Sequence, residues 1–177
     1  MLRFVVRQAL KLRACDNAAS SGHKDATQCF ETIVCESADW PCRVAAAFCS
    51  RGVKDVRSGT DDVASAYRKV LNSDSSYTVV ALTNPATGAV NFFEVPGFNF
   101  GLKNAVVAFN AVQDLCVEAC RRIFDVVCCH FFDDVATTEP LFAGASGQDA
   151  LWFFHETICF PLAIKKHVPM GIISRFL

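Results

Sequence analysis

Ile123-Phe124-Asp125-Val126-Val127-Cys128-Cys129-His130-Phe131-Phe132-Asp133-Asp134-Val135-Ala136-Thr137-Thr138 decides how the rest of the chain is read. Ile123 to Phe132 is rich in β-branched and aromatic residues, which favour a pleated strand. Asp133-Asp134 interrupts the run with the residue type that turns tolerate, and Val135 to Thr138 resumes it. The stretch therefore predicts a strand, a tight acidic turn and a second strand. Cys128 and Cys129 are adjacent in the first strand, so their side chains face opposite ways.

Upstream, Ala105, Phe109, Val112, Cys116 and Ala119 recur every three to four residues and predict a helix over 102–122. Arg121 and Arg122 suit its C-terminal end. Pro96-Gly97 and Gly101 mark the loop before it. Ser75 to Phe93 is an uncharged run of 19 residues, near membrane-spanning length. Its middle, Asn84-Pro85-Ala86-Thr87-Gly88, is a turn, so residues 76–95 read as a hairpin. Asp61-Asp62 opens an ordered unit through Val70, with a charged loop over 51–60. Val44 to Cys49 favours helix, 14–28 and 139–150 read as loops, and 151–160 as helix or strand. Met1 to Arg13 reads as a strand or short helix at a basic edge, its apolar stretches too broken by charge for a targeting peptide. The fold class expected is α+β, a central hairpin sheet with helices on one side.

The chain has 177 residues, 52% of them apolar, which suits one domain with a real core. Seventeen basic against eighteen acidic side chains give a net charge of -1. This excludes a strongly basic nucleic-acid coat but leaves room for a local basic groove. Arg51, Lys54 and Arg57 are candidates for a modest basic strip, or for a solvated loop. The ten cysteines include no Cys-x-x-Cys pair, and the four histidines are scattered. Most of the cysteines are expected to be small buried hydrophobes in a reducing, intracellular setting, nucleus or cytoplasm. Sixteen phenylalanines predict an exposed apolar patch and ready aggregation.

Two carboxylates at the tip of an apolar hairpin repel unless something neutralises them. Magnesium prefers carboxylate oxygens and keeps waters that substrate phosphates can replace. A third carboxylate would complete a two-metal clamp for in-line phosphoryl displacement, and Asp62 is the candidate. Taken singly, Asp133-Asp134 also fits an ordinary turn and Asp61-Asp62 a helix N-cap.

Taken in order, these stretches resemble the palm of reverse transcriptases, especially those of retroelements without long terminal repeats. Asp62-Val63-Ala64-Ser65-Ala66-Tyr67-Arg68 is similar to the family's first catalytic motif, an aspartate followed five residues on by an aromatic. Phe100-Gly101-Leu102-Lys103-Asn104-Ala105-Val106-Val107-Ala108-Phe109-Asn110 resembles the glycine loop and helix that face the template and incoming nucleotide. Phe131-Phe132-Asp133-Asp134 is similar to the aromatic-x-Asp-Asp turn, 71 residues beyond Asp62 when counted to Asp133. Phe132 is bulkier than is usual in the second place of that turn. Lys165 and Lys166 stand where the family has a lysine near the triphosphate.

The resemblance implies a polymerase palm-like antiparallel sheet with packed helices and partial fingers, the thumb missing. It divides the chain into a fingers-like segment 1–57, a palm-like region 58–160 and a C-terminal segment 161–177 at the edge of the palm. It implies RNA-directed DNA polymerisation, with Asp62, Asp133 and Asp134 as catalytic, metal-binding residues for two Mg2+ ions, Mn2+ being a substitute. Tyr67, Phe100 and Gly101 would bind the nucleotide, Tyr67 stacking under the sugar and selecting deoxynucleotides. The implied partners are an RNA or DNA template with primer, deoxynucleoside triphosphates and the missing thumb or other domains of a longer polyprotein, with no membrane. A nearly neutral chain of this size is expected to hold a duplex weakly and act distributively. Two other readings stay open: a catalytically dead remnant that serves as a nucleic-acid or protein interaction module, and an unrelated α+β domain.

Overall fold

The computed structural model describes residues 2–8, 11–99 and 101–172. The chain is mixed α and β, with two four-stranded sheets and three α-helices among the described residues. In chain order these are β1 (Leu2–Gln8), β2 (Lys11–Asn17), α1 (Trp40–Ser50), β3 (Val56–Asp62), β4 (Val79–Thr83), β5 (Val90–Glu94), α2 (Lys103–Phe124), β6 (Cys128–Phe131), β7 (Asp134–Pro140), α3 (Ser146–Thr157) and β8 (Val168–Gly171). Two compact units emerge, each built from two stretches. The first takes Met1–Ile33 and Ser65–Phe109, the second Val34–Ala64 and Asn110–Leu177.

The first unit holds the sheet β2-β1-β4-β5. The β1–β2 hairpin corrects the loop expected from residue 14 onward, since pairing runs to Asn17. Arg3 lies opposite Asp16 and closes a two-pronged ion pair on it, at 2.6 and 3.0 Å. The basic N-terminal edge is thus tied down in part by a buried acid. The 76–95 hairpin forms as expected, Val79 to Thr83 pairing with Val90 to Glu94. A small core gathers Ala18, Leu102 and Ala105, with Tyr67 and Phe98 against them.

The second unit holds the antiparallel sheet β6-β7-β3-β8. The order β3-α2-β6-β7-α3-β8 with that strand arrangement is a split β-α-β topology. α1 lies against β7 and β3, and α3 against β7. α1 starts at Trp40, with Pro41 in its first turn where a missing N–H does no harm.

Three corrections follow. Of the loop expected over 51–60, residues 56–60 are strand: Val56-Arg57-Ser58-Gly59-Thr60-Asp61-Asp62 is an inner strand between β7 and β8. Glycine and aspartate disfavour strands, so local propensity hid it. Here Gly59 is needed, because a Cβ would come within 2.6 Å of the Gln148 side chain. Second, α2 runs on to Phe124, and β6 begins only at Cys128. The buried stripe of α2 passes through Phe109, Gln113, Cys116, Val117 and Cys120 rather than Val112 and Ala119, with a polar residue inside it. Third, α3 starts at Ser146, within the stretch expected as loop.

All ten cysteines are free thiols. Only Cys116, Cys120, Cys128 and Cys129 are buried, fewer than expected, and four others are exposed. Burial pushes Cys116 and Cys120 up to about 11, and Cys128 and Cys129 up to about 12. They behave as apolar filling. No helix among the described residues is long and apolar enough to cross a membrane.

Candidate functional site

The acidic hairpin forms as expected, with its turn one residue earlier than the sequence puts it. β6 ends at Phe131, Phe132 and Asp133 make the turn, and β7 starts at Asp134. Phe132 adopts a left-handed φ of 54°, unusual for a bulky residue. His130 supports that turn from below. It is 2% exposed, its Nδ1 lies 3.3 Å from the Phe132 carbonyl, and its Nε2 lies 2.8 Å from Asp114 on α2.

β3 brings in the third acid. Asp62 is the direct cross-strand partner of Asp134 in the antiparallel register. The Val63 N–H donates to the Asp133 carbonyl at 2.8 Å, which locks the turn to the end of β3. Asp62, Asp133 and Asp134 are thereby gathered within one unit. Asp61-Asp62 is not a helix N-cap, as its residue types permit; both lie at the C-terminal end of a paired strand.

Like charges directly opposite each other destabilise a sheet. Burial pushes the Asp62 carboxyl up, Lys166 opposes that by hydrogen bond and charge, and Asp133 adds to it. Burial likewise pushes Asp134 up, with the charges of Asp133 and Asp62 adding and Lys166 opposing. The Lys166 ammonium is hydrogen-bonded to the Asp62 carboxylate. Thr60, Asp61, Asp62, Asp134, Lys165, Lys166, His167 and Val168 line an open cleft of about 430 Å³.

The donor set suits a hard cation: three carboxylates, two with raised proton affinity, on rigid backbone. As they stand, no three His, Cys, Asp or Glu side chains among the described residues are grouped to hold a metal ion. Lys166 supplies the counter-charge to Asp62 instead.

Tyr67 and Gly101 belong to the other unit. Tyr67 sits in a short 3-10 turn, Ala66–Lys69, entered through left-handed backbone at Ser65, φ 62°. It is half-buried against Ala18, Leu102 and Ala105 and meets the Phe109 ring edge-on at 5.2 Å. Gly101 has φ 91°, a conformation side chains rarely take, just before α2. Phe100 lies outside the described residues.

Sequence reasoning missed Asp61, Gln148, Trp152 and His167. Asp61 is 2% exposed, yet its carboxylate accepts three hydrogen bonds: from Gln148 Nε2 and Trp152 Nε1, both at 2.8 Å, and from His167 Nδ1 at 2.7 Å. The one available signal was a second aspartate beside Asp62, where a single one serves the resembling motif.

Comparison with models of known protein families gives no match, and comparison with curated proteins gives none either. The functional reading therefore stands on the geometry and on the motif resemblance.

Proposed function

We propose that the chain is the palm-like and fingers-like part of an RNA-directed DNA polymerase, and that it adds deoxynucleotides to a primer 3'-hydroxyl. The observation that carries this reading is the pairing of Asp62 with Asp134 on neighbouring antiparallel strands, with Asp133 tied to the same strand end by the Val63 N–H. Motifs far apart in sequence are thereby brought to one end of two neighbouring inner strands. The split β-α-β order of the second unit supports a palm-like role for it.

Asp62 and Asp133 would hold two magnesium ions, with Asp134 the weaker ligand and manganese a substitute. Bound there, the ions would supply the charge that activates the primer hydroxyl and neutralises the leaving pyrophosphate. The chain's own residues do the rest. The register between β3 and β7 sets Asp62 opposite Asp134, so two of the three carboxylates start as neighbours. Lys166 must leave Asp62 when a cation binds there, and is then free to meet a triphosphate. Tyr67 is braced on its face toward Phe109, as suits a residue that would stack under a sugar. Gly101 would let the backbone approach the nascent base pair.

Primer extension tests this, on an RNA template with magnesium and deoxynucleotides. Wild-type chain extends the primer. Asp133→Asn lowers the rate by at least about 100-fold, the upper cost of losing even an outer-shell partner of a metal site. A folded wild-type chain that extends no primer would sink the catalytic reading. It would favour instead the interaction module of a dead remnant, a state in which Lys166 stays on Asp62.

A further inference from the structure

We propose that Asp61 is the positioning residue of this site: through His167, Trp152 and Gln148 its buried carboxylate holds the 163–168 turn so that Lys166 meets Asp62. Asp61 and Asp62 are neighbours on β3 with different tasks. The Asp62 carboxylate takes the Lys166 ammonium, and the Asp61 carboxylate, with no exposed side-chain surface, takes three donors.

The chemistry of the three donors defines the clamp. A carboxylate accepts and never donates, and an indole N–H only donates. His167 must therefore carry its proton on Nδ1 to complete the set. Asp61 Oδ1 takes both Trp152 and His167, whose rings meet edge-on at 5.3 Å, and Oδ2 takes Gln148. Gln148 Nε2 also donates to the Val168 carbonyl at 3.0 Å. Asp61 thus holds the side chain next to Lys166 directly, and the backbone two residues beyond it through Gln148.

The backbone holds the same turn from its other end. The Ala163 N–H donates to the Asp62 carbonyl at 2.7 Å, and Thr60 pairs with Val168. Between these anchors Lys165-Lys166-His167 has one tight turn in which to present its charges. With His167 drawn onto Asp61, Lys166 is directed at Asp62. Without that bond, the ion pair alone opposes the side-chain entropy that draws a half-exposed lysine away.

The clamp's geometry is independent of the proposed chemistry; its service to polymerisation rests on that reading. The test therefore uses neither metal nor nucleic acid. Reductive methylation of the intact protein, followed by peptide mass spectrometry, reports how freely the Lys166 amine reacts, with exposed Lys54 as internal reference. Asp62→Asn removes the partner and sets the ceiling, with Lys166 labelled about two- to fivefold faster, the protection a partly exposed ion pair gives. His167→Ala should approach that ceiling. His167→Asn, which can place an amide N–H near the lost Nδ1–H, should fall back toward wild type.

Asp61→Asn should also raise the rate, because its amide sets a donor against that of Gln148. If Asp61→Asn fails to fold, His167→Ala alone decides, since it leaves Asp61 bonded to α3. Unchanged Lys166 labelling in folded His167→Ala, with Asp62→Asn raised, would overturn the proposal. So would unchanged labelling in Asp62→Asn, which would mean that the pair does not persist in solution. An inactive wild-type chain that passes this test would sink the polymerase reading and leave the clamp intact.

Discussion

The two units bury different things. The second places Asp61, Asp62, His130, Gln148 and His155 inside, most of them bonded to a named partner, among Val135, Ala136, Leu151 and the buried cysteines. The first has a smaller apolar interior, around Ala18, Val80, Leu102, Ala105 and Phe109; both units leave large apolar side chains in solvent, and in the first, three of them, Val90, Phe92 and Phe93, share one edge strand. Every residue of β5 is exposed, with Phe92 at 72%. Buried polar groups need fixed partners, and fixed partners make a rigid site. A sheet with an open apolar edge holds together less firmly and invites company. The difference teaches where precise chemistry can reside in this chain: in the second unit.

The largest expected effect tests how the first unit compensates for its small core. The Arg3–Asp16 pair spans β1 and β2, with the Asp16 side chain wholly buried and Arg3 18% exposed. Arg3→Ala leaves a buried carboxylate unpaired. The expected cost is about 3 kcal/mol, the low end for breaking buried pairs because Arg3 keeps some water. Native-state hydrogen exchange reads it by region. Amides of β1 and β2 should exchange roughly 100-fold faster, at tenfold per 1.4 kcal/mol, while those of β6 and β7 hold. Equal acceleration in both units would mean that they unfold as one and would break the comparison.

A smaller effect is expected on the exposed edge. Phe92→Thr with Phe93→Thr keeps strand propensity on β5 and removes two aromatic rings, 72% and 49% exposed. Sedimentation should show self-association of the wild type fall in the double variant, with thermal stability changed by about 0.5 kcal/mol or less, as for surface sites generally. Unchanged association would place the sticky surface elsewhere, with Phe30, Phe142 and Phe153 the next exposed rings.

The comparison also explains what could be read in advance. The hairpin around Asp133-Asp134 was legible because its strands are made of strand formers and the aspartates mark its turn to within one residue. The 76–95 hairpin and α2 were legible for the same local reason. β3 was not, because Arg57 and Gly59 look like loop and Asp61 like the start of a new unit until α3 and the β8 turn supply Gln148, Trp152 and His167. The three aspartates could be named as a set from motif order, but only the register showed Asp62 opposite Asp134. The clamp on Asp61 could not be named, since its donors come from 87 to 106 residues away and follow no motif.

A last, modest effect probes the electrostatic strain that sets the second unit apart. Burial first, then the charges of Asp133 and Asp62, raise the Asp134 carboxyl above its ordinary value, against the pull of Lys166. The folded chain thus binds a proton here more tightly than the unfolded chain does. The stability this gives is complete below the unfolded value, about 3.9, and is lost as pH rises through the folded one. Above that window the ionised Asp134 burdens the fold. Asp134→Asn removes the charge and keeps the shape, so it should be more stable than wild type at neutral pH. Because the group is partly solvated, the gain is about 0.2–1 kcal/mol. Salt should shrink it, since the repelling charges reach water. Toward pH 3 wild-type Asp134 is protonated and the two proteins should converge. Urea titrations at neutral and acid pH check this directly. A wild type more stable than Asp134→Asn at neutral pH would show that Lys166 balances all three acids, and the second unit's polar interior would then be as relaxed as the Arg3–Asp16 pair in the first.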